Sequence, residues 1–322
     1  MSIFDKLNQI ITPNGYGVGK LYSLKGNDVD WQRLSGATRI NQNGLIESVV
    51  NNVPRLDYLN GGCPEILVEP QSTNKIIFSS EISNSYYLKD NISAILTDDL
   101  SPDGVNNSYA LIENNANSFK RIRFDVSYGS MTHEISCFVK SKGRRYLFFR
   151  ARDTNDNFRN ITFDIENGIL SGSQTSDYLP IVEEHVNGWF RIALIGSRQN
   201  SSSDIISIFL SDNPNPSGAY QYQGDGVSGV YLWGLDVKEG NSLTSHVPTN
   251  GSVATRSADA PQPIAVPSAT THIVEKLADG SLNVIDSNLP ANYTIPFGRY
   301  QFIAFGKNLT AQEIQDLENY GV

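Results

Sequence analysis

A mainly β fold, an antiparallel β-sandwich or jelly roll, is the class this sequence predicts, and three observations predict it. Between residues 75 and 250, apolar and polar residues alternate in runs such as "RIRFDVSYG" and "RNITFDI". Further runs, "YLFFRAR", "WFRIALI", "DIISIFLS" and "VYLWGLDV", are rich in aromatic and β-branched residues, with Asn, Asp, Gly and Ser turns between them. No helical period interrupts the series. Alternation with a period of two means strands buried on one face, and a succession of them without helices means sheets packed on sheets.

Residues 1–74 read as an irregular N-terminal attachment or joint segment, punctuated by Gly, Asn and Pro, with short apolar pieces such as "GLIESVV" and "EILVE". In "CPEILVEPQSTN", Pro64 and Pro70 bracket a short strand, Ile66 to Val68. Thr73 and Asn74 follow, both suited to tying off backbone groups before the next strand.

Residues 75–250 form the jelly-roll domain. Its alternation sends Ile122, Phe124, Val126 and Tyr128 to one side of their strand and Arg121, Arg123, Asp125 and Ser127 to the other. Leu147, Phe149 and Ala151 likewise point inward, leaving Tyr146, Phe148, Arg150 and Arg152 on the opposite face. After an Asp-Thr-Asn-Asp turn, Ile161, Phe163 and Ile165 rejoin the core, while Phe158, Asn160, Thr162 and Asp164 extend the aromatic and arginine face. Cys137 lies in phase with Ile135 and Val139 and reads as a small buried apolar residue.

Residues 251–272, rich in Pro, Ala and Ser, read as a linker or extended arm. Residues 273–322 form a small strand–helix region, with strands in "GSLNVID" and "RYQFIAFG". It ends in the helix "LTAQEIQDLENYG", where Thr310 and Glu313 make a capping box, Ile314 and Leu317 share a face, and Gly321 stops the turn.

The charge balance narrows the function. Acids number 34 and bases 25 in 322 residues, a net charge of −9, so nucleic acid is a poor partner. Two cysteines make no disulfide framework and no zinc spacing, and the four histidines are scattered, reading as surface or turn residues; neither metal nor cofactor is expected. The start "MSIFDKLNQIITPNG" lacks the basic and apolar regions of a signal peptide, and no stretch approaches the roughly twenty apolar residues of a membrane span. A soluble chain without membrane insertion is the expectation.

Catalytic patterns are incomplete. In "TFDIENG", Asp164 and Glu166 occupy alternate positions on one face, as in some β-sandwich glucanases, but the third position is Thr162. A strand ending in an Asn167-Gly168 turn explains the phrase more simply. "GYGVGK" lacks the spacing of a phosphate loop. No catalytic residue is assigned.

The face of Tyr146, Phe148, Arg150, Arg152, Phe158 and Asn160 has the chemistry of a carbohydrate platform. Aromatic rings stack on sugar faces, while Arg and Asn hydrogen-bond hydroxyls or carboxylates. Lys140, Lys142, Arg144 and Arg145 precede it and would add local positive charge. The alternative is that this face packs beneath another layer or inside an oligomer.

The phrases "ATRINQNGLIESVVNNVPRLDY", "CPEILVEPQSTNKI", "LSPDGVNNSYALIEN", "FDIENGIL", "NGWFRIAL" and "GVYLWGLDVKEGNSLTSHVPTNGSVATRSAD" follow one another in this chain. In that order they resemble bacteriophage virion proteins, tail-fibre or head-fibre chains with a lectin-like, carbohydrate-binding-module-like jelly roll. The resemblance spans roughly residues 35 to 260. It implies a non-enzymatic structural protein of the virion, made in the host cytoplasm, whose partners are other virion proteins and a host-surface glycan. It also implies a homo-oligomer, a trimer by preference. The competing class is a purely structural head fibre or capsid decoration that touches only virion proteins, and a glycan depolymerase is a more distant third. The resemblance itself supplies no site residues.

Overall fold

The computed structural model describes residues 2–126, 132–152, 155, 157–172, 177–197 and 204–319. Tyr128, Ser127, most of the Asp-Thr-Asn-Asp turn (Asp153, Thr154, Asp156) and Gly321 lie outside the described residues. The chain divides into two compact units, Ser72–Thr255 and a second made of Met1–Gln71 with Arg256–Val322.

The Ser72–Thr255 unit is a two-sheet antiparallel sandwich. One sheet has six strands in the order Ile169–Ser171, Phe158–Asp164, Tyr146–Arg152, Asp204–Ser211, Lys120–Val126 and Leu88–Asp90. The other runs Ile92–Leu96, Tyr109–Glu113, Gly229–Glu239, Thr132–Lys142, Trp189–Ser197 and Tyr178–His185, with Ser72–Asn74 pairing beside Gly229–Glu239. Between them lies one core. Ile122, Phe124, Val126, Leu147, Phe149, Ala151, Ile161, Phe163 and Ile165 enter it from the first sheet, and Leu111, Ile135, Cys137, Val139, Leu194 and Leu232 from the second. Each large apolar side chain buried this way contributes about 1.5–3 kcal/mol, so the alternation read from sequence is what drives the two sheets together.

Asn167 and Gly168 turn the chain from Phe158–Asp164 into Ile169–Ser171, with Asp164 accepting from the backbone N–H of Glu166 (3.2 Å) and Asn167 (3.3 Å). Gly168 has φ +65°, and a Cβ there would meet the Phe190 ring at 2.2 Å, so only glycine fits. The phrase "CPEILVEPQSTN" spans the division between units. Glu65–Val68 is a fully buried strand, and Asn74 then donates to the carbonyls of Leu235 (3.0 Å) and Val247 (2.9 Å) while accepting from Ile76 (3.1 Å) and Val237 (3.1 Å).

The other unit corrects three expectations. Residues 1–71 are not irregular. Leu7–Gly17 and Lys20–Lys25 form a hairpin closed at Gly17 and Lys20, which is the fate of "GYGVGK". Nor is the C-terminal region a small appendage. Gly298–Gly306 pairs with Leu7–Gly17, placing Ile10 opposite Ala304 and Ile11 opposite Ile303 at the centre of a nine-stranded sheet. Third, the Pro-rich stretch, expected as a linker or extended arm, is built into this unit. Arg256 and Asp259 are buried, and Ala260–Pro261 pairs with Val29–Gln32. Pairing between residues some three hundred positions apart leaves no trace in a local pattern, which is why two weak segments read as accessories rather than as two halves of one core.

One face of this sheet is packed by Trp31, Ile66, Tyr293, Ile303 and Phe305, the other by Leu7, Val274, Phe302 and the helix Ala311–Asn319. The capping box forms as expected: Thr310 N–H donates to Glu313 at 2.8 Å and Glu313 N–H to the Thr310 hydroxyl at 3.3 Å. Ile314 and Leu317 pack beneath. A buried ion cluster braces the unit, with Arg33 and Arg55 both paired to Asp259, and Arg55 also to Glu69 at 2.7 Å.

The histidines also differ from expectation. His133, His185 and His246 are buried rather than at the surface. His246 Nδ1 lies 3.0 Å from Asp236, within a buried network that includes Glu134, Arg191 and Lys238. A hydrogen-bonding partner, invisible in sequence, is what admits that imidazole to the interior. Both cysteines are free. Among the described residues no helix is long and apolar enough to cross a membrane, and no group of three or more His, Cys, Asp or Glu could hold a metal ion.

Candidate functional site

The outer face of the six-stranded sheet is organised in cross-strand rows. Asn160, Arg150, Ser207 and Arg123 form one row across four neighbouring strands. Thr162, Phe148, Phe209, Arg121 and Asp90 form the next, and Arg152 stands opposite Phe158 on the other side. With strands about 4.8 Å apart, Arg150 and Arg123 are held roughly 10 Å from each other across Ser207.

Aromatic rings order this face. Phe148 stacks on Phe209 with centroids 4.6 Å apart and planes 9° from parallel. Arg121 lies 4.7 Å from the Phe119 ring and 5.5 Å from Phe209, and its Nε is bonded to Asp90 at 2.7 Å. Phe158, 41% exposed, carries two guanidinium groups, Arg152 at 4.0 Å and Arg150 at 4.4 Å from the ring centroid. A cation over a ring face is attracted by the ring quadrupole, so Phe158 holds both side chains in place.

The electrostatics are unbalanced. Among the described residues neither Arg150 nor Arg123 has a carboxylate partner, and the Nε of each is buried without a hydrogen bond. Partial burial, followed by the like charges of Arg121 and Arg152, pulls the Arg150 guanidinium below its ordinary value. Clustered guanidiniums with unused donors make a site that an anion would relieve, since each presents five N–H groups in a fixed fork that matches carboxylate or sulfate.

The six residues selected from sequence have different fates. Arg150, Arg152 and Phe158 are brought together as one patch. Tyr146 lies a row away from Phe148, under the Arg145 guanidinium at 5.2 Å. Phe148 is on the expected face but 0% exposed, covered by its neighbours, so it supports the patch and offers no ring to a sugar. The Asn160 amide donates to the carbonyls of Pro216 (3.2 Å) and Gly218 (2.8 Å) and anchors that loop.

The added bases also need correcting. Lys140 belongs to the other sheet and is paired with Asp99 at 2.9 Å. Arg144 is paired with Glu113, and Arg145 with Asp164 at 2.7 Å. Their charge is spent on structural partners. Arg123 and Ser207 were not selected, although the alternation of "RIRFDVSYG" does turn Arg121 and Arg123 outward. What sequence lacked was the strand order that sets Lys120–Val126 beside Asp204–Ser211 and so two strands from Arg150.

Among the described residues no carboxylate pair suited to glycoside hydrolysis accompanies the patch. Asp164 is engaged by Arg145 and by the Asn167 amide at 2.8 Å, and despite its burial these hydrogen bonds keep its carboxyl below the usual range. It acts as a turn anchor.

No protein-family model and no curated protein matches the chain. Among solved structures, it is similar over 52% of its length to "TmCBM61 in complex with beta-1,4-galactotriose" (7% identity, 99% of that chain covered, TM-score 0.34). It is similar over 54% to "a carbohydrate-binding module, TmCBM27", described for mannan recognition (9% identity, 98% covered, TM-score 0.27). A third, an exo-beta-agarase, matches over 44% of this chain and 25% of its own (13% identity, TM-score 0.21). Likeness at these values carries no weight for the ligand of this chain.

Proposed function

We propose that this protein is a non-enzymatic glycan-binding fibre or appendage protein of a bacteriophage particle. In this reading the outer face of its six-stranded sheet holds a carboxylate- or sulfate-bearing sugar of the host surface. One observation carries the binding part: Arg150 and Arg123 stand in one cross-strand row with no acidic partner among the described residues, beside a ring that holds Arg150 in place. Partial burial and the like charges of Arg121 and Arg152 both disfavour the Arg150 cation. An anionic ligand would offset both. The virion setting is supported by the ordered phrases from "ATRINQNGLIESVV" to "GSVATRSAD", and a self-associating fibre in the virion, a trimer by preference, is part of the same proposal.

The test is a glycan array carrying uronic-acid, sulfated and neutral glycans, probed with wild type and with Arg150→Ala. The proposal requires wild-type binding to acidic glycans that the variant loses. Absence of wild-type binding to every glycan would favour a structural part that contacts only virion proteins. Binding retained by the variant would place the site elsewhere.

A further inference from the structure

At the ends of the two sheets of the Ser72–Thr255 unit stand Leu88–Asp90, Ile169–Ser171, Tyr178–His185 and Ile92–Leu96. The first two are three residues long, and the third carries Pro180, Glu183 and Glu184. Short strands, proline and charge are the devices that keep a sheet edge from pairing with another chain. Ile92–Leu96 has none of them. Its five residues, "ISAIL", include no proline and no charge, and they pair with Tyr109–Glu113 without a bulge, from Ile92 opposite Glu113 to Leu96 opposite Tyr109. Ile95 and Leu96 are 53% and 57% exposed, and Leu88 and Leu100, on either side in the chain, are exposed too. Among the described residues no strand pairs with the outer side of this edge.

The register shows which backbone groups are left open. Asn91 C=O accepts from Asn114 N–H at 3.0 Å, and Thr97 N–H donates to Ser108 C=O at 3.0 Å. In an antiparallel ladder a residue turns its N–H and C=O to the same side, and successive residues alternate. Asn91, Ser93, Ile95 and Thr97 therefore address Tyr109–Glu113, while Ile92, Ala94 and Leu96 turn their N–H and C=O to the open edge.

We propose that this edge pairs antiparallel with the same strand of a second copy, about a twofold axis at Ala94, joining two sheets into one. Ala94 then exchanges both bonds with its counterpart, and Ile92 exchanges both with Leu96 of the other copy. A twofold pairing sets a strand against its own sequence, so a charged strand would bring like charges together. This strand has no charge to oppose. Ile92 and Ala94 already pack against the core, and the register lays Ile92 of one copy beside the exposed Leu96 of the other on that same face. The strand is its own complement, which favours a second copy over a foreign segment. The contact does not rest on glycan binding, and being twofold it is separate from any threefold contact of a trimer.

The experiment follows the mass of the full chain by sedimentation from about 1 µM to about 1 mM, the range in which weak pairs assemble. A dimer should form as the concentration rises. Ala94→Pro removes the N–H nearest the axis and none that bonds Tyr109–Glu113, so circular dichroism should show the fold kept. Its dimer dissociation constant should rise by more than about tenfold, since each pair loses two hydrogen bonds. Amide exchange gives a second readout in the unaltered chain. The amides of Ile92, Ala94 and Leu96 should exchange slowly in concentrated samples and quickly in dilute ones, while those of Ser93 and Ile95 stay slow in both. A monomer at every concentration, self-association that Ala94→Pro leaves unchanged, or exchange at Ile92, Ala94 and Leu96 indifferent to concentration would overturn the proposal.

Discussion

Phe148 and Phe209 lie ring on ring, 4.6 Å apart and nearly parallel, with neither side chain exposed. They form a second apolar layer on the outside of the six-stranded sheet, and the arginines stand on and around it. Phe148 and Phe158, equivalent in the alternation, therefore do different work. Phe148→Ala should lower stability by about 3–5 kcal/mol, the cost of emptying a packed aromatic site. Phe158→Ala removes a ring that is 41% exposed and should change stability by less than about 1 kcal/mol. It should nonetheless weaken binding of an acidic glycan by releasing Arg150 and Arg152. Denaturant titration and a binding assay on the two variants separate these outcomes.

A second contrast concerns ion pairs. Arg191, Lys238 and His246 converge on the buried Asp236 at 3.4, 3.3 and 3.0 Å. Burial alone would raise the Asp236 carboxyl, but His246, Lys238 and Arg191 together hold it well below its ordinary value. Asp236→Ala should cost about 3–5 kcal/mol, because it leaves Arg191 and Lys238 buried with Glu134 as their shared carboxylate. Asp30→Asn breaks an exposed pair with Lys20 at 2.8 Å and should leave stability nearly unchanged. Chemical denaturation of the two variants at neutral pH checks this.

Acid should loosen the C-terminal helix. A hydrogen bond from Lys6, with further ones from Thr310, lowers the Glu313 carboxyl to about 2 from an ordinary 4.5. The folded value lies below the unfolded one, so the contribution is complete above 4.5 and disappears as the pH falls toward about 2. Glu313→Gln should therefore melt lower than wild type at neutral pH, and the difference should close across that acid window. A gap that stays constant in acid would contradict the assignment.

Asp164 is tied to Arg145 at 2.7 Å, and Glu166 accepts from the Ser141 hydroxyl at 3.3 Å, so the proposed non-enzymatic reading gives them structural roles. Incubation with acidic and neutral polysaccharides should release no reducing ends, from wild type or from Asp164→Asn. Release by the wild type that Asp164→Asn abolishes would assign an enzyme here.

How much of this was legible in the sequence depended on range. Short-range patterns were informative: the inward residues from Ile122 to Ile165, the Asn167-Gly168 turn and the Thr310–Glu313 cap all follow from spacing along one strand or helix. Long-range pairing was not. Nothing local says that Ile11 meets Ile303, that Arg123 lies two strands from Arg150, or that Lys140 is spent on Asp99. For the same reason Phe148 was assigned to the correct face but to the wrong depth, since the cover that buries it comes from other strands. Three buried histidines were misplaced because their tolerance depends on partners such as Asp236, distant or unordered in sequence.

The central claim is that Arg150 and Arg123, two strands apart, form one anion-binding row. It is tested most directly by calorimetric titration of a sulfated or uronic-acid oligosaccharide into wild type, Arg150→Ala and Arg123→Ala at low and at roughly physiological salt, where the screening length shortens to about 8 Å. The account predicts wild-type binding that weakens with salt, and comparable losses in both variants, with Arg150→Lys also impaired because an ammonium cannot reproduce the guanidinium fork. Full affinity in Arg123→Ala alongside loss in Arg150→Ala, or binding indifferent to both, would contradict it.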